Sequence, residues 1–155
     1  MICNATPLIS LAKISQLVLL KKIFSYVTIP QSVKDEILIE NKPGYFIISE
    51  AIKEGWIRID NPKKEINLGL GKGENSAINL AKEKNDKLII DDAFAIKAAK
   101  AFDIEVVRTT TIIFMAVEKN IITTKQAISI INSLIDVGYY IAPKYYSAML
   151  TKLCS

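Results

Sequence analysis

The chain contains no histidine, and this one absence excludes more chemistry than any other feature of the composition. Without imidazole there is no Ser-His-Asp or Cys-His nucleophile, and no cleavage that relies on histidine as acid and base. Cysteine is nearly as scarce. Cys3 and Cys154 stand alone at opposite ends, with no C-x-x-C spacing. A disulfide framework and a zinc site of thiolates and imidazoles are both excluded, and the thiols read as buried or terminal groups. Arginine is confined to Arg58 and Arg108, so nearly all the positive charge behind the net +4 is lysine. Lysine meets phosphate as a point charge, without the guanidinium fork that reads geometry. A polyanionic partner would therefore be held by backbone attraction more than by base readout; a lysine-rich surface that only confers solubility is an equal reading. No apolar run approaches the roughly 20 residues that span a bilayer. The first residues lack the basic region and apolar stretch of a secretory leader, so the expectation is a cytosolic protein with no membrane partner.

What remains is a chain of 155 residues, half of them hydrophobic with isoleucine prominent. That is enough for one domain over residues 1–155 with a sizeable core, and the isoleucine suits a sheet covered on both faces. Extended apolar stretches at Met1–Asn4, Tyr26–Ile29, Trp56–Ile59, Leu88–Ile90 and Ile104–Arg108 alternate with helical periodicities. This pattern predicts an α/β domain with a parallel sheet between two layers of helices. Expected caps are Thr6 before Pro7, Ser32, and the threonines from Thr109. Pro143 is expected to open a last helix.

The organising stretch runs from Gly69 to Asp92: a glycine-broken loop, Glu74, a short helix, and the run Leu88-Ile89-Ile90 ending in Asp91-Asp92. Three, four and seven residues after Glu74 come Ala77, Ile78 and Ala81, so Glu74 begins the inward face of the helix. Asp91 and Asp92 stand where a buried strand stops, and ligands of open α/β sheets bind beyond the carboxyl ends of strands. Asn4 and Thr109 occupy similar exits, and Glu36 on a helix completes an acidic cluster with Glu74 and Asp91. Buried acids are costly unless a cation or hydrogen bonds meet them. In a chain without histidine, hydrolytic chemistry rests on carboxylates, which recruit hard cations such as Mg²⁺ or Mn²⁺.

Each residue also has a plainer explanation. Glu74 could complement a helix dipole, Asp92 could cap the next helix, Glu36 could pair with a surface lysine, and Asn4 could be a turn residue. Tyr139-Tyr140 and Tyr145-Tyr146 could stack on bases, although a place at the core edge or a subunit contact suits them better. The glycines do not form a dinucleotide fingerprint, because Glu74 stands where the last glycine of G-x-G-x-x-G belongs, and no G-K-[ST] follows.

Four segments carry a family resemblance. Asn4-Ala5-Thr6-Pro7-Leu8-Ile9 resembles the opening D-[TS]-[ST]-P-L-I of PIN domains. Ile29-Pro30 with Val33 and Glu36 is similar to their I-P-x-x-V-x-x-E. Gly73 to Ala81 and Leu88 to Asp92 look like the elements G-E-x-x-A-I-x-L-A and L-I-L-D-D. The subgroup is the one related to VapC-type toxins. The resemblance implies a five-stranded parallel sheet in the order 3-2-1-4-5 and cleavage of single-stranded RNA with Mg²⁺ or Mn²⁺. It also implies a homodimer and an antitoxin protein as partner. Carried over position by position, it makes Glu36, Glu74 and Asp91 catalytic metal ligands, with Asn4 at the fourth, normally aspartate, position. Two departures stand out. Asn4 removes one negative charge, and the residues after Asp91-Asp92, where the subgroup carries arginines, are Ala93 to Lys97 with only Lys97 positive. A degenerate PIN fold that binds RNA or a partner protein without cutting is the alternative expectation.

Overall fold

The computed structural model describes residues 1–155. Its strands are brief: β1 (Ile2–Cys3), β2 (Val27–Ile29), β3 (Ile57–Ile59), β4 (Leu88–Ile89) and β5 (Val106–Val107). They lie parallel in the order β3-β2-β1-β4-β5, as the resemblance implied. The helices are α1 (Ala5–Lys13), α2 (Val18–Phe24), α3 (Gln31–Ile37), α4 (Tyr45–Lys53), α5 (Lys72–Lys84), α6 (Ala93–Ala101), α7 (Thr109–Glu118), α8 (Thr124–Asp136) and α9 (Pro143–Cys154).

Successive strand side chains point to opposite faces, and the two cores divide accordingly. Ile2 and Leu88 join Ala77, Ile78 and Ala81 of α5 and Ala95 and Ala99 of α6 in one layer. Cys3, Ile89 and Val107 join the larger layer built from α1 to α4 and α7 to α9. Apolar side chains on both faces of so short a sheet make packing, rather than ladder length, its main support. The order reverses between β1 and β4, where ligand sites of such sheets form. Asn4 lies at that point, its backbone N–H donating to the Ile89 carbonyl at 2.9 Å.

Three caps differ from expectation. The first helix begins at Ala5 with Asn4 as its N-cap, so Thr6 and Pro7 sit inside the first turn. Proline is tolerated there because the first amides have no intrahelical acceptor. Pro30, not Ser32, precedes α3; the Gln31 amide is satisfied by Asn61 Oδ1 at 2.8 Å, and the buried Ser32 hydroxyl has no partner. Thr109 to Thr111 lie within α7 and Arg108 is its N-cap. Pro143 does open α9, whereas α8 starts with an unforeseen capping box between Thr123 and Gln126.

The helix after the glycine loop has 13 residues and is not short. Ala77, Ile78 and Ala81 are fully buried, as their register required. Its other side, with Asn75, Ser76 and Asn79, is buried too, because the preceding loop folds over it. Asn79 holds that loop from both directions, accepting from the Ile66 amide at 2.9 Å and donating to the Ile66 carbonyl at 3.0 Å. Asn75 accepts from the Leu68 amide at 2.8 Å, and Ser76 donates to Glu65 at 2.6 Å. Asparagines one helical turn apart thus fix the loop that leads into Gly69 and Gly71. Asn79→Ala leaves the Ile66 backbone groups unpaired and should lower the unfolding free energy by roughly 1–3 kcal/mol in urea titration. A change under about 0.5 kcal/mol, typical of an unconstrained surface site, would show that the loop is held by something else.

Candidate functional site

The site grows from the close approach of two helices. Where α3 meets the first turn of α5, the α5 residue is Gly73. A β-carbon there would lie 3.4 Å from Val33 Cγ2, 2.7 Å from Glu36 Oε2 and 3.6 Å from Asn4 Oδ1. Glycine therefore lets the helices touch and leaves two side-chain oxygens facing one small space. Asn4 is 2 % exposed. It sits at the N-cap of α1, yet its side chain makes no capping bond and its Oδ1 has no hydrogen-bond partner at all. An orphaned buried acceptor is expensive, and here it faces Glu36 across Gly73.

Glu36 is an exposed residue, but its carboxyl is partly withdrawn from water. Burial first, and the charge of Glu74 second, raise its pKa above the ordinary value. Glu74 stands in the first turn of α5, half-exposed. Its carboxylate folds back over Gly71, where a β-carbon would collide with Oε2.

Asp91 is held differently. Its Oδ1 accepts from the Thr109 amide at 3.0 Å and the Tyr139 hydroxyl at 2.6 Å, and its Oδ2 accepts from the Thr109 hydroxyl at 2.6 Å. Burial, followed by the charge of Asp91, pushes the Tyr139 phenol far above its usual range, so it remains a donor throughout ordinary pH. Asp92 accepts from the Ala95 amide at 2.8 Å and caps α6. It also lines, with Glu74 and Asp91, a cleft of about 840 Å³ whose walls include Lys13, Arg108 and Tyr139. Asn4 and Glu36 are not part of that lining. Cys3, buried and kept protonated chiefly by desolvation and then by Asp91, is no nucleophile.

Asn4 and Glu36 are thus brought together at Gly73, Glu74 folds over Gly71 close enough for its charge to act on Glu36, and Asp91 shares a cleft with Glu74. No three acids or thiols are close enough, as they stand, to enclose a metal. The reasons are visible: one position is an amide, Glu74 is turned over Gly71, and Asp91 is engaged by Thr109 and Tyr139. No ion pair includes Glu36, Glu74, Asp91 or Asp92. Glu36 Oε2 and the unpartnered Asn4 Oδ1 meet at Gly73, and carboxylate and amide oxygens are the donor types that a hard divalent cation takes. The sequence offered Thr109 as a polar strand exit and Asp92 as a cap, but not the hold of Tyr139 on a residue 48 positions away.

The model of the family DUF3368, described as a PIN domain, matches residues 1–155. The chain is a PIN domain. PIN domains are generally metal-dependent nucleases. Among solved structures, this PIN domain is similar to a PilT N-terminus domain protein from the hyperthermophilic archaeon Sulfolobus solfataricus P2. The two are 20 % identical, the match covers 72 % of this chain and 90 % of that one, and the TM-score is 0.43. No curated protein matches. No helix of the PIN domain is long and apolar enough to cross a membrane.

The raised pKa of Glu36 has a definite sign. Its charged form is disfavoured in the folded state, so its contribution to metal-free stability is fully present below the ordinary carboxylate pKa and is lost as pH rises through the raised value. Glu36→Gln should flatten that decline and raise Tm at pH 7 in the presence of chelator. An undiminished slope between pH 4 and 7 in thermal unfolding would mean that the Glu36 carboxyl is not crowded.

Proposed function

We propose that this PIN domain is a Mg²⁺- or Mn²⁺-dependent endonuclease for single-stranded RNA of the toxin–antitoxin type. It acts in the cytoplasm as a homodimer and is restrained by an antitoxin protein. The observation that carries this reading is the unpartnered Asn4 Oδ1 facing Glu36 Oε2 across Gly73, with Glu74 near enough to raise the pKa of Glu36. Glu36, Glu74 and Asp91 would hold the cation, with the Asn4 amide as a neutral fourth donor. When bound, such an ion lowers the pKa of a water and offsets charge on the phosphoryl oxygens. Thr109 and Tyr139 keep the Asp91 carboxylate in one orientation, which reduces the ordering cost when it takes up a ligand. Lys13 and Arg108 line the cleft and attract phosphate, a task that Ala93 to Ile96 cannot perform.

A second reading, a PIN fold that binds RNA or a partner protein without cutting, is favoured by the charge lost at Asn4. Incubation of a labelled single-stranded oligoribonucleotide with Mn²⁺, alongside calorimetric titration of the metal, separates the two. On the nuclease reading, cleavage requires Mn²⁺, and Glu74→Ala or Asp91→Ala lowers the rate roughly a hundredfold, the usual scale for removing one preorganised electrostatic group. Asn4→Asp should tighten Mn²⁺ on the order of tenfold by adding a ligand charge. Cleavage that appears only in Asn4→Asp assigns the natural chain to the second reading. Cleavage by the natural chain that survives Asp91→Ala and Glu74→Ala would remove these residues from the mechanism.

A further inference from the structure

A second depression, of about 620 Å³, adjoins the cleft and shares Glu74 and Asp92 with it. One wall is the loop Leu68-Gly69-Leu70-Gly71; the other is a face of α6 that carries Phe94 and Lys97. Phe94 is 79 % exposed. It lies two residues beyond Asp92, in the first turn of α6, while Ala95, Ile96 and Ala99 fill the buried side of the helix. Its ring stacks on no other aromatic side chain and receives no cation. Lys97 is exposed and in no ion pair. The facing loop is pinned by Asn75 and Asn79 through the Leu68 and Ile66 amides, so the gap has a set width before anything enters it.

We infer that this depression is a base-stacking subsite, taking one unpaired nucleobase of an RNA strand between the Phe94 ring and the apolar loop, with Lys97 on the adjoining phosphate. The inference rests on the reading of the chain as a nuclease for single-stranded RNA and adds to it where the strand runs. Continuity carries it: Glu74, one of the residues that would hold the cation, lines both the cleft and this depression, so a phosphodiester at that cation has its neighbouring nucleotide at this opening. Charge agrees, because Lys97 lines the depression and is in no ion pair. Size agrees as well. The volume lies in the range of small-ligand pockets, whereas a protein partner needs about 800 Å² of surface on each side. Every base presents a flat face to an aromatic ring, so stacking here tolerates sequence and favours the larger purines.

The test uses the full chain and fluorescence anisotropy of a labelled single-stranded oligoribonucleotide, with Ca²⁺ in place of the activating cation. Phe94→Ala should weaken binding about tenfold and keep the circular dichroism of the parent, since the ring is exposed. An oligomer of equal length with abasic sites should bind the natural chain about as weakly, and Phe94→Ala should then bring no further loss. Phe94→Trp should retain affinity and show indole emission quenched on RNA addition; the native Trp56, 8 % exposed, serves as background. Tight RNA binding that ignores both Phe94→Ala and the missing bases overturns the subsite and leaves the nuclease reading standing. Failure of the natural chain to bind RNA at all overturns both. Self-association in sedimentation that Phe94→Ala abolishes, with RNA affinity unchanged, gives the ring to a second copy and overturns the subsite alone.

Discussion

None of the ion pairs of this protein reaches the acids of the cleft. Lys21, Lys53, Lys84 and Lys87 pair with Glu54, Glu50, Asp60 and Glu105, all outside the group formed by Glu36, Glu74, Asp91 and Asp92. Like charges held together oppose folding, and the contact of α3 with α5 over Gly73 has to hold them against that repulsion. Each helix is anchored in its own core, Val33 of α3 in the larger and Ala77 and Ile78 of α5 in the smaller, and this burial holds the contact together. A folded chain has only about 5–15 kcal/mol of net stability, so a cluster of this kind persists only where the packing beneath it is good.

The acids differ in how far they are committed. Asp91 has both oxygens engaged by neutral donors, which hold it in place without cancelling its charge. Glu36 and Glu74 accept no hydrogen bond from any side chain or backbone amide and can reorient. Asn4 is fixed but electrically neutral. A site with one rigid anion, two adjustable anions and a buried neutral oxygen is less preorganised than a closed cage. Part of the free energy of cation binding would then be used to swing Glu74 away from Gly71.

Much of the architecture was legible because it is written in local pattern. Ala77, Ile78 and Ala81 repeat at helical spacing and are fully buried in α5. Apolar runs mark all five strands, four of them bounded on at least one side by glycine, proline or an acid, though each strand proves shorter than its run. Caps were less legible. Pro7 looks like a first helical residue, but any position of the first turn accepts proline. The amide before Ser32 is satisfied by Asn61, a tertiary partner that no local motif announces. Within the site, helix register and strand exits drew attention to Glu74, Asp91 and Asn4, and the family resemblance set them with Glu36 as a group of four. Whether Asp91 would be free, and where Glu74 would turn, depended on Tyr139 and Gly71, whose influence arises only when distant segments meet.

The brevity of the sheet has a consequence for assembly. Its two edge strands, β3 and β5, have three and two residues. An edge that short offers too few free amides and carbonyls to template another strand. Strand-by-strand recruitment, the usual route from an open sheet to fibrils, therefore has almost no purchase on this molecule, and any second copy must meet it through the outer faces of its helices.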